Sequence, residues 1–335
     1  MTELKHTGKP TTPGGHTPVM LREVLDALAP RDGAIYVDGT FGAGGYTAAI
    51  LDAADCTVWG IDRDAEAVSA GGAMVATYAG RLTLVEGRFG TMDRLLGDRG
   101  VSAVDGIALD LGVSSMQIDQ PARGFSFAAD GPLDMRMEPA GPGPSAADVV
   151  NSLSEAELAD IIYRYGEERR SRQVAHAIVT ARHENPIVRT GELAAIVRKA
   201  VKQRPAKGEK RIDASTRTFQ ALRIYVNDEI GEIGRGLSAA ERLLAPGGRL
   251  AVVAFHSLED RAVKQFLRER SGDLPRHSRH LPEAPDPAPR AATFQPLFRG
   301  TCRPSRAECA ANARARSARM RAASRTDAPA WAAAS

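Results

Sequence analysis

Residues 34–46 read Ala-Ile-Tyr-Val-Asp-Gly-Thr-Phe-Gly-Ala-Gly-Gly-Tyr, and they place a short apolar run directly before a glycine-rich turn. The apolar run ends at Asp38, and the segment that starts at Thr47 is typical of the first turns of a helix. A strand, a glycine turn and a helix in this order present a nucleotide-like ligand at the carboxyl ends of the strands of an α/β sheet. Glycine permits positive φ there and lets backbone N–H groups approach the ligand closely.

The glycine spacing separates two classes of ligand. A dinucleotide fold places glycines as G-x-G-x-x-G at the start of the helix. Here Gly42-Ala-Gly44 is followed by Gly45-Tyr46-Thr47, so the third glycine is missing. The turn therefore offers little to hold a pyrophosphate, and the acid before it favours a ligand with an ammonium or hydroxyl group. A tight turn that binds nothing is the alternative.

Apolar runs of strand length recur along the first third of the chain, at residues 56–61, 82–86 and 104–109. Helical segments separate them, which indicates a parallel sheet with right-handed crossovers. Asp38, Asp62 and Asp110 each close a strand. We therefore expect them to meet at the sheet edge where such folds bind ligands.

Each functional candidate near that edge has a binding and a structural interpretation. Asp62 stands where a carboxylate reaches the ribose hydroxyls of an adenosine-type ligand, or it caps the next helix. Asp110 would hold an ammonium group or face the acceptor, or it begins a capped loop, and Gln117 follows it. Phe89 would stack on adenine or belong to the core. His256, after a later strand, is a proton shuttle or a structural histidine.

After the fourth strand the alternation of strands and helices stops. Five prolines make residues 111–150 a long structured loop, and such a length is uncommon unless it is functional. Helical patterns follow, beginning with the capping box Ser154-x-x-Glu157, so we predict an all-helical domain inserted into the sheet fold. One long helix over 215–244 returns to the core, and Ser257 is predicted to cap the helix after the next strand.

The predicted organisation is an α/β, Rossmann-like core with a mostly parallel sheet, interrupted by the helical insertion. Its parts are a disordered N-terminus (1–15), the core (16–115 and 214–300), the insertion (116–213) and a basic C-terminal tail (301–335). An edge strand is expected near the end of the core, because Pro296 cannot donate to a central ladder.

Composition bounds the class of protein. Hydrophobic residues make up 43% of the chain and charged residues 25%, which are ordinary values for a globular protein. Three cysteines without a C-x-x-C pair predict neither a disulfide framework nor a zinc site, and they suit a reducing cytoplasm. No apolar run approaches the ~18 residues of a membrane span. The net charge of +3 does not by itself indicate nucleic acid.

Positive charge is nevertheless concentrated in two places. Residues 198–211 carry seven cations against the single acid Glu209, and seven arginines lie between Arg303 and Arg325. The first cluster has the local charge that a phosphate backbone requires, although a solvated helix face carries the same pattern. The second cluster adds weight to a nucleic-acid partner, or it is a disordered tail.

Six motifs stand in order and together resemble the bacterial 16S rRNA cytosine-N4 methyltransferases, which use S-adenosylmethionine. They are Val37-Asp-Gly-Thr-Phe-Gly-Ala-Gly-Gly45, Asp110-Leu-Gly-Val-Ser-Ser115, Arg123-Gly-Phe-Ser-Phe127, Asp130-Gly-Pro-Leu-Asp-Met-Arg-Met137, Thr216-Arg-Thr-Phe-Gln-Ala-Leu-Arg223 and Phe255-His-Ser-Leu-Glu-Asp-Arg261. The likeness covers about residues 16–325, essentially the whole globular chain.

The resemblance implies a Rossmann-like methyltransferase that modifies N4 of a cytidine in the P-site region of 16S rRNA, within the small ribosomal subunit. We expect no metal and no membrane partner, and a homodimer stays open. Tyr46 stands where the family often has His, and Met116 where it often has Pro. The family's cofactor contacts fall on Gly44, Gly45, Tyr46, Asp62, Phe89, Asp110 and Gln117.

The proton acceptor is not identified by motif. DNA amino-methyltransferases carry (Asp/Asn/Ser)-Pro-Pro-(Tyr/Phe) at the strand end that here reads Asp110-Leu-Gly-Val. Asp110 is therefore the first catalytic candidate and His256 the second. Three rival functions remain open: a methyltransferase acting on a small molecule or a protein, a nicotinamide oxidoreductase, and a non-catalytic RNA-binding module. Cofactor titration and activity on ribosomal particles separate them.

Overall fold

The computed structural model describes residues 18–201, 213–273 and 290–331. The chain divides into two compact units, a first unit of Met1–Gly112 with Gly231–Ser335 and a second unit of Val113–Ile230. The N-terminus that was predicted to be disordered lies outside the described residues, as do five cations of the first basic cluster. These cations are Lys202, Arg204, Lys207, Lys210 and Arg211.

A seven-stranded sheet forms the centre of the first unit. Its strands are β1 (Ile35–Asp38), β2 (Thr57–Asp62), β3 (Leu82–Glu86), β4 (Val104–Asp110), β5 (Leu244–Ala254), β6 (Phe294–Pro296) and β7 (Arg319–Arg325). They lie in the order β3-β2-β1-β4-β5-β7-β6. β1 to β5 are parallel, whereas β7 is antiparallel to both β5 and β6. The predicted α/β fold is confirmed, and β6 is the predicted edge strand.

Helices pack on this sheet and also build the second unit. In chain order they are α1 (Leu21–Leu28), α2 (Gly45–Ala53), α3 (Ala65–Ala70), α4 (Gly72–Thr77), α5 (Met92–Gly97), α6 (Ser115–Asp119), α7 (Ala146–Ser152), α8 (Glu155–Gly166), α9 (Ser171–Glu184), α10 (Thr190–Ala200), α11 (Ser215–Asn227), α12 (Glu229–Leu243), α13 (Ser257–Arg270) and α14 (Arg306–Ala311). Within the described part of the chain, no helix combines the length and the apolar character that crossing a membrane requires.

The strand order reverses between β1 and β4, which pair through Tyr36–Gly106 and Asp38–Ala108. Both strands are buried along most of their length, which explains their nearly continuous apolar sequence. Open α/β sheets bind ligands in the crevice outside the carboxyl ends of the strands at such a reversal. The crevice here lies between the ends of two adjacent strands, at Asp38 and Asp110.

Two predictions about the second half of the chain were wrong. The helix expected over 215–244 is two helices, because Asp228 takes a left-handed conformation (φ 47°) between α11 and α12. The basic tail expected from residue 301 instead contains α14 and β7. In β7 the buried Met320 and Ala322 alternate with Arg319 and Arg321, which are exposed to differing degrees. A composition rich in arginine and alanine obscured this strand pattern.

The second unit has its own apolar core and a fixed loop. At the start of α8 the predicted capping box is present: the Glu157 N–H donates to Ser154 Oγ at 3.3 Å, and the Ser154 N–H donates to Glu157 Oε2 at 2.9 Å. In the long loop, the Asn227 side chain donates to Met135 O and accepts from the Met137 N–H, both at 2.8 Å. These bonds give the proline-rich segment the definite structure that its sequence predicted.

A buried ion pair joins three segments of the first unit. Arg270 Nε of α13 donates to Glu241 Oε2 of α12 at 3.1 Å, and Thr293 Oγ1 donates to Glu241 Oε1 at 2.6 Å. The Arg270 guanidinium also lies over the rings of Phe266 and Trp331, 4.7 and 4.1 Å from their centroids. Both charged side chains are largely withdrawn from water, so the removal of one would leave the other without compensation.

Arg270→Met should lower the free energy of unfolding by about 3 kcal/mol or more, because Glu241 would remain buried without its cation. Adding Glu241→Gln to this variant should recover part of the loss. Arg268→Met is the control, since Arg268 pairs with Asp273 at the surface of the same helix, and its removal should change little. Urea denaturation measures all four proteins. Equal losses in the Arg270 and Arg268 variants would contradict a special role for the buried pair.

Candidate active site

The first carboxylate at the glycine turn belongs to the half-buried Asp62. Gly42 and Gly44 in this turn have φ values of 52° and 75°, which glycine adopts without strain. Asp62 Oδ2 accepts from the Gly42 N–H at 2.7 Å, and Oδ1 accepts from the Asp64 N–H at 2.9 Å. The cap of α3 is Asp64 rather than Asp62. Asp62 therefore links β2 to the turn, and burial raises its pKa.

Asp38 holds the other side of the same turn. Its Oδ2 accepts from the N–H and the hydroxyl of Thr47 at 3.2 and 2.8 Å, and its Oδ1 accepts from the Thr40 N–H at 3.3 Å. Asp38 is fully enclosed, and burial raises its pKa to about 6. The sequence suggested that this acid faces a ligand, but its oxygens serve the protein instead.

Gly44, Gly45 and Tyr46, all predicted cofactor contacts, lie at the start of α2. A Cβ on Gly45 would lie 2.1 Å from Pro18 Cγ, so close packing requires glycine there. The buried Tyr46 donates its hydroxyl to Val19 O at 2.5 Å. The side chain of Tyr46 is thus occupied by the segment before α1, and its backbone is the part that a ligand could reach. The first N–H groups of a helix have no carbonyl partner within that helix.

Phe89 follows β3 and is half-buried. Its ring lies against α12, where a Cβ on Gly236 would be only 2.2 Å from Phe89 Cδ2. The neighbouring Gly90 N–H donates to Glu232 Oε1, also on α12, at 2.7 Å. α12 therefore sets the position of an aromatic ring that keeps part of its surface exposed, as a ring that stacks on a ligand requires.

Asp110 differs from the other two acids that end strands. Its N–H donates to Thr40 Oγ1 at 2.7 Å, but no donor in the described part of the chain contacts its buried Oδ1. Burial raises the pKa of Asp110 well above its usual value, the charges of Asp38 and Glu259 raise it further, and Arg314 opposes them. A buried carboxyl without a partner is costly, and such groups gather at functional sites.

Glu259 is a candidate site residue that was not predicted from the sequence. It is completely buried, and its Oε2 accepts from the N–H groups of Phe255 and His256 at 2.7 and 3.2 Å. His256 Nε2 lies 3.0 Å from Glu259 Oε1, and His256 Nδ1 accepts from the Glu259 N–H at 3.4 Å. His256 therefore caps α13, and the prediction that Ser257 does so was wrong. The His-x-x-Glu spacing was the available signal, since it matches a capping box.

Gln117 belongs to the second unit, where it completes a capping box with Ser114. The Gln117 N–H donates to Ser114 Oγ at 3.2 Å, and the Ser114 N–H donates to Gln117 Oε1 at 3.1 Å.

The first unit brings the glycine turn, Asp62, Asp110 and His256 to the carboxyl edge of one sheet, with Phe89 just after β3.

Comparison with known proteins adds to this geometry. Residues 14–326 match the model of the MraW methylase family. A protein named ribosomal RNA small subunit methyltransferase H from Paramagnetospirillum magneticum is 63% identical over 320 residues, which cover 96% of this chain and 98% of the relative. The protein of the same name from Rhodospirillum centenum is 62% identical, and 98% of each chain is covered.

Solved structures are more distant. The crystal structure of an rRNA methylase from Streptococcus thermophilus aligns with 92% of this chain and 94% of its own, at 9% identity and a TM-score of 0.36. That similarity is too weak to add to the strand order described above.

The raised pKa of Asp38 predicts a pH-dependent stability. Because the pKa of Asp38 rises from 3.8 to about 6 on folding, the folded state holds the Asp38 proton more tightly than the unfolded state does. The stability that this difference gives the folded protein is complete below pH 3.8 and is lost as the pH rises through 6. The free energy of unfolding of the wild type, relative to Asp38→Asn, should fall by about 2 kcal/mol between about pH 4.5 and about pH 7.5. Denaturant titrations across this range measure it, and parallel curves for the two proteins would contradict it.

Proposed function

The chain belongs to the MraW methylase family, and we propose that it methylates N4 of a cytidine in the P-site region of 16S rRNA with S-adenosylmethionine. The relatives named as ribosomal RNA small subunit methyltransferases, at 62% and 63% identity, support rRNA as the substrate. The six motifs support the choice of a cytidine amino group. We place the reaction on the small ribosomal subunit in the cytoplasm, where this rRNA is found.

The buried Oδ1 of Asp110, which accepts from none of the described residues, is the feature of the structure that best supports this cofactor. S-adenosylmethionine supplies an electrophilic methyl group on a positively charged sulfur, and it also carries an ammonium group. A cationic ligand fits the carboxyl edge because Asp110 Oδ1 is buried, has no donor from the described residues, and is close enough to Glu259 for that charge to raise its pKa. Such a ligand would keep the Asp110 carboxyl charged by lowering its pKa.

The other predicted contacts have roles that suit the same ligand. The Asp62 oxygens each accept one backbone N–H, and each keeps a second lone pair that ribose hydroxyls could use. Phe89 offers a ring that α12 holds in place, and the turn at Gly44, Gly45 and Tyr46 offers backbone N–H groups. Gln117 stays a cofactor contact predicted from the sequence.

The protein must also make a weak nucleophile reactive. The lone pair of the cytosine amino nitrogen is delocalised into the ring, and an acceptor beside one of its N–H bonds would favour a pyramidal nitrogen. The same acceptor would take the proton that the nitrogen loses as it gains the methyl group. Asp110 is our first candidate, because its Oδ1 is buried at the carboxyl edge and no described donor occupies it. Proton removal and pairing with the cofactor's ammonium group are alternative roles for this carboxyl.

His256 is our second candidate for the proton acceptor. Its Nδ1 accepts from the Glu259 N–H, and its Nε2 faces Glu259 Oε1. Proton transfer to His256 would therefore require its ring to leave this arrangement. The target base must also leave any stack, which is least costly in a single-stranded or splayed segment of rRNA.

Small ribosomal subunits from cells that lack this protein should accept labelled methyl groups, and mass analysis of the nucleosides should find the methyl on N4 of a 16S cytidine. Subunits from cells that contain the protein should accept none. Asp110→Asn should reduce the rate by about 100-fold or more, because either cofactor binding or proton removal fails. A weaker Kd for S-adenosylhomocysteine would assign Asp110 to the cofactor, and an unchanged Kd with a lower kcat would assign it to the proton.

Methyl transfer to a small amine or a protein, with none to ribosomal particles, would contradict the proposed substrate. If the purified protein binds S-adenosylhomocysteine but modifies no subunit, the proposed substrate is contradicted and the family assignment remains intact.

We also propose that the basic cluster of the second unit holds rRNA phosphates. Lys199 is exposed near the end of α10, and the cluster continues through Lys202 and Arg204, which lie outside the described residues. Replacing all three with Glu should weaken rRNA binding and flatten its dependence on salt, because fewer counterions are released on binding when phosphate contacts are lost. Exchanging Lys for Arg and Arg for Lys at these positions is the control and should preserve binding. Unchanged binding by the Glu variant would refute this role.

A further inference from the structure

The segment from Arg299 to Arg325, here called the C-terminal basic segment, carries an unusual charge for its length. It contains eight arginines, no lysine and one acid, Glu308. Three arginines are half-buried or buried, so they help to build the fold. The exposed ones are Arg299, Arg303, Arg306, Arg316 and Arg319.

Sheet topology brings this segment to the functional edge. β7 is antiparallel to β5, and Arg319 at its start pairs with Ala254 at the end of β5. The beginning of β7 therefore lies at the carboxyl edge of the parallel strands, which is the edge of Asp62 and Asp110. The residues just before β7 must arrive at that same edge.

Side-chain contacts agree with this placement. Glu308 Oε1 accepts from the Met20 N–H at 2.7 Å, next to the Val19 carbonyl that accepts from Tyr46 at the start of α2. Farther along, Arg314 is close enough to Asp110 for its charge to act on that carboxyl. The single acid of the segment is thus engaged with the backbone beside the glycine turn, and the exposed arginines are left in excess.

Helix α13 extends the positive surface. It begins at Ser257, directly beyond the end of β5, and Arg261 and Lys264 lie exposed in its first two turns. The acid between them and β7, Asp260, accepts from Arg321 Nε at 2.7 Å and from Arg319 Nη1 at 3.3 Å. That carboxylate is therefore neutralised, and it does not offset the remaining cations.

We infer that the C-terminal basic segment binds the rRNA phosphates that flank the target nucleotide, an inference that rests on the proposed function. A solvated surface would be expected to mix charges of both signs, whereas here arginine is in excess at the edge where the substrate must arrive. Arginine suits phosphate because its planar guanidinium donates two parallel hydrogen bonds. The first unit would then hold the RNA close to Asp110.

The test variant is Arg303→Gln/Arg306→Gln/Arg316→Gln in the full chain. These arginines form no ion pair within the described part of the chain, so the fold should survive. The control is Arg99→Gln/Arg242→Gln, at positions just before β4 and β5 and therefore toward the opposite edge of the sheet. The probe is a labelled 16S rRNA fragment that contains the P-site cytidine, and its anisotropy is followed across a range of salt concentrations.

The test variant should bind this fragment roughly tenfold more weakly, and the slope of log affinity against log salt should fall by about 2, from three lost contacts at single-stranded RNA. Its Kd for S-adenosylhomocysteine and its Tm should match the wild type. The control should bind RNA nearly as the wild type does. Equal affinity and slope in the test variant, or an equal loss in the control, would overturn the inference.

The wild type separates this inference from the proposed function. If the wild type methylates subunits and the test variant binds RNA unchanged, only the role of the C-terminal basic segment fails. If the wild type neither binds the fragment nor methylates subunits, the proposed function fails, and the inference fails with it.

Discussion

The glycine turn between β1 and α2 keeps its shape because the carboxylates of the buried Asp38 and the half-buried Asp62 accept its hydrogen bonds. Backbone N–H groups in such a turn have no ladder partner, and buried ones must be satisfied by other means. Asp62 accepts from Gly42, and Asp38 accepts from Thr40 and Thr47. Enclosing these acids has an electrostatic cost, visible in the raised pKa of both. In return the start of α2 is organised before any ligand arrives.

Asp110 ends its strand as Asp38 and Asp62 do, yet its carboxyl is used differently. The protein satisfies the other two acids, whereas Oδ1 of Asp110 is buried and accepts from no described residue. Glu259 adds a second buried carboxylate whose charge acts on the same group. The three acids occupy equivalent positions in the sequence pattern, but their partners differ. Asp38 and Asp62 hold the backbone, whereas Asp110 belongs to the candidate site. An unsatisfied buried acid persists where function maintains it, since stability alone would favour its replacement.

The carboxyl edge is assembled from segments that are far apart in the chain. α12 positions Phe89 through Gly236 and holds the next N–H through Glu232. α14 contributes Glu308 to the backbone at Met20, and β7 joins the sheet between β5 and β6. A methylase that works on a large, negatively charged substrate needs both a closed cofactor site and positive surface around it. The C-terminal basic segment contributes to both, because exposed arginines precede β7, which is a strand of the same sheet.

The sequence by itself determined the parallel strands, the glycine turn, the capping box at Ser154 and the family, because these depend on local periodicity and short motifs. It also located the acids at the strand ends. It did not reveal the strand β7, whose formation depends on pairing with β5 more than sixty residues earlier. Nor could it tell that Asp62 accepts from Gly42, that Glu259 is buried beside His256, or that Asp110 Oδ1 accepts from none of the described residues. Those properties were decided by the tertiary structure, because a side chain's partner and its loss of water depend on which distant segments pack around it.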